Sequence, residues 1–495
     1  MAFQSRRAWG LGICLMMALA LVFTGFTSST FASAASVATP KAEKLTQLSS
    51  DPYTNKSSQH KTEVEPDTFS YGSTIVSAFQ VGRFTTGGAS NIGWATSTDN
   101  GKTWKHGFLP GTTVYAGGTL FSISDAAVAY DAMHKVWLIS TLGITNIDTY
   151  VLTSRSTDGG LTWSKPILVS LGGTDKNWIV CDDTASSPNY GHCYTEWDSS
   201  VSNTHFNMVL MSTSTDGGQT WSFPRNPVGT PNGIGGQPLV QPNGTVIVPI
   251  LGETQRTSFI ASFSSKDGGK SWSGYTVVTQ VTSAIDPGNI RSGPLPTAEI
   301  DGSGKVYVVW EDCRFEKNCS TNDLVMSTSS DGKTWSAVQR IPADPVGSGV
   351  DHFIPGLGVD KTTGGSSAHL ALMYYYYANV NCTVSTCQLY VGFISSTNSG
   401  ASWSKKEQIA GPMHLKWLAN AFGYFVGDYI STSFAASGEA YSVFAVATAP
   451  VNGVFNEAMY TTPEHALQVT GGTITSQGDA VLSTHGTAFV RHSAF

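Results

Sequence analysis

Three arginines recur at one kind of position. Gln80-Val-Gly-Arg83, Glu253-Thr-Gln-Arg256 and Glu311-Asp-Cys-Arg314 each close a strand-like run, and only eight arginines lie beyond residue 34. A fourth, Arg291, sits in the segment ahead of Glu311. Convergent guanidinium forks hold a carboxylate through paired charge-assisted bonds. The alternative is that each arginine braces its own loop against Gln80, Glu253 or Glu311. Carboxylates crowd the same loops: Asp175, Glu196-Trp-Asp198, Asp286, Glu311-Asp312 and Asp351-His352. Two facing carboxyls are the equipment for general acid/base attack on a glycosidic bond. An oxygen-rich set of this kind would equally suit a structural calcium ion, and no other cofactor is expected. His352 as a base, with an arginine on the substrate carboxylate, would suit β-elimination from a uronic acid polymer. The tyrosine run Tyr374 to Tyr377 and the indole of Trp417 complete the candidates.

The elements that must position these residues repeat. Ser156-Thr-Asp158-Gly-Gly160-Leu-Thr162-Trp163 has five relatives, ending at Trp104, Trp221, Trp272, Trp335 and Trp403. The fifth box in chain order is one residue short, and the last has Asn398 in place of aspartate. A period of this length marks a repeat architecture. Within each box the aspartate can accept N–H groups of its own turn, while the glycines supply positive-φ positions. These aspartates read as fold residues. Alternating apolar and polar residues precede every box, so each repeat reads as three strands, a turn, and a fourth strand after the tryptophan.

The boxes match the pattern S-x-D-x-G-x-T-W and resemble the Asp-box of sialidases and related secreted β-propellers, over roughly residues 60 to 465. The resemblance implies an all-β propeller of four-stranded antiparallel blades, with the boxes between strands three and four. A boxless last repeat, Gly423–Ser431, Glu439–Ala447 and Asn456–Thr461, raises the expected count to seven blades, with six as the alternative. Lys44–Leu48 or Ala466–Thr470 would complete its sheet. If the first strand of each repeat runs away from the mouth, the 2–3 loops and 4–1 connectors share the mouth and the boxes lie opposite.

Retaining sialidases hold the sugar carboxylate with an arginine triad and use a tyrosine–glutamate nucleophile with an aspartate acid/base. Carried onto this chain, Arg83, Arg256 and Arg314 form the triad, Tyr375 or Tyr377 is the nucleophile, and Asp175 or Asp198 the acid/base. The chain departs from that family at Arg340-Ile-Pro342, which follows the fifth box and not the first strand. Lys176-Asn-Trp178 and Gly427-Asp428-Tyr429 read as a core-facing aromatic and an inward aspartate satisfied by backbone. The lone histidines His134, His205 and His369 read as structural.

Arg6 and Arg7, the apolar run Leu11 to Phe26 and Ala32-Ser-Ala34 form the pattern of a secretory signal peptide over residues 1–34. A low-complexity leader over 35–58 and a single propeller domain over 59–495 complete the expected organisation. Without Arg6 and Arg7 the chain has 26 basic against 35 acidic residues, a formal charge of −9. That excludes nucleic acid and anionic membrane as partners, and no membrane anchor is expected. Six cysteines remain, and proximity pairs Cys181 with Cys193, Cys313 with Cys319, and Cys382 with Cys387. The expected protein is a secreted, monomeric glycoside hydrolase, sialidase-like, acting on an anionic or polar glycan. A polysaccharide lyase and a non-catalytic carbohydrate- or protein-binding propeller are the alternatives.

Overall fold

A computed structural model describes residues 45–200, 207–463 and 467–476, all within one compact unit, Ala42–Phe495. The signal-peptide reading, residues 35–44 of the leader and His205 lie outside the described residues. No helix among the described residues is long and apolar enough to cross a membrane.

The chain is an all-β propeller, but its sheets are fewer than the repeats suggest. Five sheets have four or more strands, in place of the seven, or alternatively six, uniform blades expected. Hydrogen bonding gives the reason. Repeats one and two merge into one eight-stranded sheet through a single pairing, Ala89 with Ile123. Repeat three stops at three strands, because after Trp221 the chain makes only isolated bridges, Met211 to Arg225 and Met208 to Asn232. The run expected as one strand over 423–431 is split into Tyr424–Phe425, part of a two-stranded ribbon with Ala419–Asn420, and Ser431–Phe434. The last sheet is completed from the chain's beginning: Thr46–Gln47 pairs antiparallel with Glu457–Thr461. Three disulfides close local loops, 181 to 193, 313 to 319 and 382 to 387.

Each box is a hydrogen-bonded knot that also reaches its neighbour. Ser156 Oγ donates to Asp158 Oδ1 at 2.8 Å, the Gly160 N–H donates to Ser156 Oγ at 2.9 Å, and Thr162 donates from both N–H and Oγ to the two Asp158 oxygens. Burial pushes the Asp158 carboxyl up, but the bonds from Thr162 and Ser156 outweigh it and hold the group down at about 2. The Gly160 carbonyl accepts from Thr96 of the preceding repeat at 2.7 Å. Likewise Arg155 Nε donates to the Gly217 carbonyl at 2.6 Å, and Ser262 Oγ to that of Gly332 at 2.8 Å. The tryptophans repeat the move: Trp221 Nε1 donates to Thr153, and Trp335 Nε1 to Ser262, both at 3.2 Å. The shortened fifth box forms the same knot. The second, third and fifth boxes therefore tie their repeats to the ones before them.

Asp158→Ala removes acceptors for three box residues and should lower stability by about 0.5–1.5 kcal/mol. Because the folded carboxyl is depressed, this contribution is present above about pH 4 and fades as pH falls toward 2. Melting curves at pH 7 and pH 2.5 check it: the gap between wild type and variant should narrow in acid, and an equal gap at both would count against the account.

Candidate functional site

The inner strands share a defect that builds the site. A β-bulge interrupts Glu63–Tyr71, Ser122–Asp131, Thr174–Cys181 and Asp351–Val359 near their beginnings. Each bulge contains a non-glycine residue in the left-handed region: Glu65 (φ 55°), Asp125 (φ 47°), Lys176 (φ 41°) and Ile354 (φ 50°). A bulge re-aims a side chain, and three of these four are charged. Lys176 Nζ bonds Asp428 Oδ2 and lies 3.5 Å from Glu65 and 3.8 Å from Asp125. Arg291 forks onto the same Asp428, Nε to Oδ1 at 2.9 Å and Nη2 to Oδ2 at 2.5 Å. Gly427 (φ 126°) lets the backbone pass so close to Glu65 that a Cβ there would meet its N at 2.8 Å. The Asp428 N–H then donates to Glu65 Oε1 at 3.1 Å.

Protonation differs sharply across this cluster. Burial pushes Asp428 up, but Arg291 and Lys176 overcome it and hold the carboxyl well below the usual range. Glu65 is pushed up to about 7 by burial, against the pull of Lys176. Asp175, paired across strands with Asp198, is raised by burial and by the charge of Asp125. Asp198 and Glu196 are raised well above the usual range, first by burial.

Beside the cluster a small pocket opens between Lys176, Trp178, Gly235, Gln237, Pro355, Asp428 and Tyr429. Trp178 and Tyr429 meet edge to face at 5.2 Å and form its aromatic wall. Trp178, Gln237 and Thr297 also line a second small space, which Asp67, Glu299 and Lys361 share.

The proposed triad does not assemble. Arg83 and Arg291 do converge, both over the Phe425 ring at 4.8 and 4.7 Å. Arg83 is buried and donates Nη1 to Gln80 at 2.7 Å, the bracing alternative. Arg256 is exposed on the 254–257 turn. Arg314 folds onto its own loop, Nε and Nη2 to Asp312 at 2.9 and 2.6 Å and Nη2 to the Gln280 carbonyl. Asp312, two residues away, takes the Arg314 fork, and Thr279 and Gln280 take its remaining donors. Arg340 of the Arg-Ile-Pro segment is buried against Asp323 at 2.9 Å.

Other candidates have partners outside this cluster. Tyr375 is fully buried, its hydroxyl donating to the Ala445 carbonyl and accepting the Ala445 N–H, both at 2.9 Å; it holds two sheets together and is not placed as a nucleophile. His352 is buried, Nε2 at 3.0 Å from Asp344 and Nδ1 at 3.1 Å from the Asn322 carbonyl, so it is not available as a base. Trp417 is half-buried against His414, ring centroids 4.6 Å apart. Glu311, Asp286 and Asp351 form a separate buried group, with Asn322 donating to Asp286 at 2.9 Å and to Asp351 at 2.7 Å. The Tyr377 hydroxyl is buried without a partner and feels the charges of Asp286 and Asp351. Among the described residues no group of three or more His, Cys, Asp or Glu side chains is arranged to hold a metal ion.

Sequence reasoning missed Lys176, Asp125 and Glu65, and read Asp428 as satisfied by backbone. The available signal was positional: Asp125 and Lys176 stand near the start of the inner strands Ser122–Asp131 and Thr174–Cys181, and Asp428 three residues ahead of Ser431–Phe434.

Residues 190–358 match the BNR repeat-like domain and residues 95–106 the BNR/Asp-box repeat. The second match falls on the first of the six boxes, Ser97 to Trp104. No curated protein sequence matches the chain. Similar solved structures include a protein of unknown function from Dyadobacter fermentans DSM 18053, 14% identical, covering 72% of this chain and 100% of its own, TM-score 0.46. The Hadza microbial sialidase Hz136 is 13% identical, covering 79% and 74%, TM-score 0.45. The α-L-arabinanase of Penicillium chrysogenum is 13% identical, covering 70% and 94%, TM-score 0.44. At these values the likeness carries no argument about activity.

The Asp286–Asp351–Glu311 group sets a pH dependence. Burial and the Asp286 charge push Asp351 up to about 9, and Glu311 is raised well above its usual range. Protons kept by the fold are released by the unfolded chain above about pH 4. The native state then binds more protons, so this contribution favours the fold in acid and is lost as pH rises toward 9. Asp351→Asn should melt with wild type at pH 4.5 and above it at pH 8.5 in calorimetric scans. A variant that melts below wild type at pH 8.5 would contradict this.

Proposed function

We propose that the axial pocket takes a neutral sugar and that the protein is an exported glycoside hydrolase. The observation that carries the reading is a pair of neighbouring carboxyls held in opposite states. Asp428 is ionised by Lys176 and Arg291, while Asp175 is raised by burial and Asp125. Environments that push two carboxyls apart are the mark of an acid and a stabilising anion in one site. In this reading Asp175 gives its proton to the leaving oxygen as the anomeric C–O bond breaks. A water oxygen bonds to the anomeric carbon, and its proton passes to Asp125, which has one oxygen without a hydrogen-bond partner. Asp428 offsets the positive charge that develops on the ring.

The substrate class follows from charge. Lys176 faces Asp428, Glu65 and Asp125, and Arg291 forks onto Asp428, so the two cations beside the pocket are already balanced by buried carboxylates. Trp178, Tyr429 and Gln237 instead offer apolar faces and an amide, a lining that suits neutral hydroxylated rings. The neutral class is the polar branch of the anionic or polar glycan expected from the sequence. Export is supported by three disulfides, which persist in oxidising compartments. A propeller that binds glycan without turnover is the second reading, favoured because Asp428 is fully engaged by two cations.

A panel of aryl glycosides tests the proposal. Neutral pentosides or hexosides should be cleaved in preference to sialosides and uronides. Asp175→Asn should lower kcat by about 10²–10⁴-fold with KM little changed. Cleavage confined to the anionic substrates, or full activity in the variant, would sink the reading; neutral-glycan binding with no turnover would leave the binding propeller.

A further inference from the structure

The ribbon ahead of the last inner strand holds a residue that folding alone does not account for. Between Ala419–Asn420 and Tyr424–Phe425 the turn places Phe422 at φ 63° with 67% of its surface exposed. A bulky side chain in the left-handed region is an outlier, and such a conformation persists only where the surroundings over-determine it. Here they do. The Arg291 N–H donates to the Tyr424 carbonyl at 2.8 Å, and the Ala421 N–H to that of Gly423 at 2.9 Å. Gln59 grips Asn420 from both sides, its amide donating to the carbonyl and accepting the N–H, each at 2.8 Å. Gly423 lies so flush on the connector that a Cβ would meet the Arg291 N at 3.1 Å.

The packing of the ribbon needs Ala421 and Phe425, which are buried with Val64. It does not need the Phe422 ring, which projects from the tip. That tip is fixed to Arg291, the same residue that forks onto Asp428, and Phe425 lies under both Arg83 and Arg291. An apolar ring is thus held into solvent by a rigid ribbon beside the ion cluster of the axial pocket. Half-buried Trp417 precedes it on the same connector, and Tyr429 of the pocket wall follows.

We propose that Phe422 is a stacking platform for a second sugar ring, a subsite outside the axial pocket that makes the ligand a neutral oligosaccharide and not a single terminal sugar. This rests on the reading of the axial pocket as a neutral-glycan site. A flat aromatic face covers the apolar C–H face of a pyranose or furanose ring while leaving its hydroxyls in water. A rigid support lowers the ordering cost of binding.

The test uses the whole protein on a printed array of neutral gluco-, xylo-, manno- and arabino-oligosaccharides from one to six residues. Wild-type binding should strengthen from one sugar to two or more. Phe422→Ala should lose about tenfold on the longer members and nothing on the monosaccharide, and Phe422→Trp should retain the length dependence. Phe422→Gly, which relieves the left-handed strain, should melt at or above the wild-type temperature while losing binding as the alanine variant does. Equal binding by wild type and Phe422→Ala along a series that wild type binds would overturn the subsite and leave the axial reading standing. Failure of wild type to bind any neutral series would overturn both. A Phe422→Gly protein that melts several degrees lower would overturn the inference by giving the ring a structural role.

Discussion

The clasp of Lys176 and Arg291 on Asp428 is the interaction on which the site depends. Its members come from the third repeat, the connector ahead of the fifth, and the last repeat, with 252 residues between Lys176 and Asp428. All three are largely buried. Removing one partner of such a buried set typically costs about 3–5 kcal/mol, because a charge is left uncompensated. The clasp therefore works in two ways. It ties repeats together across the axis, and it leaves the pocket beside it near charge balance.

Two layers of bonding make the clasp possible. Among the boxes, hydrogen bonds pin repeats to their predecessors, as Gly160 to Thr96, Gly217 to Arg155 and Gly332 to Ser262. Near the mouth, the bulges turn Glu65, Asp125 and Lys176 toward one another. Rigid strands with a local defect position charged groups more closely than loops would. The loop arginines Arg256 and Arg314 show the contrast, since each ends on its own turn or in solvent.

The boxes were legible because their chemistry is local: an aspartate, two glycines and a hydroxyl satisfy one another within eight residues. The three disulfides were legible for the same reason, and Lys44–Leu48 was one of two segments expected to complete the last sheet. The bulges were not, because Glu65, Asp125 and Lys176 occupy left-handed positions where glycine would have been the visible sign. The partner of Asp428 was not legible either, as nothing near it in sequence distinguishes a lysine 252 residues away. Gln80-Val-Gly-Arg83 and Glu311-Asp-Cys-Arg314 look alike as letters, yet the aspartate inserted in the second captures its arginine. The merging of repeats one and two hangs on one backbone pairing, Ala89 to Ile123, which carries no side-chain signature.

Charge compensation by Asp428 is the central claim, and exchanging that one charge tests it most directly. Asp428→Asn keeps the shape of the side chain and frees Lys176 and Arg291 from their shared anion. Titration calorimetry of folded wild type and variant, each against a neutral oligosaccharide and its carboxylated counterpart, measures the outcome. The account predicts that wild type binds the neutral sugar and not the carboxylated one. It predicts a less stable variant that gains the carboxylated ligand. A folded variant with no gain for the carboxylated sugar, or a wild type that already prefers it, would contradict the account.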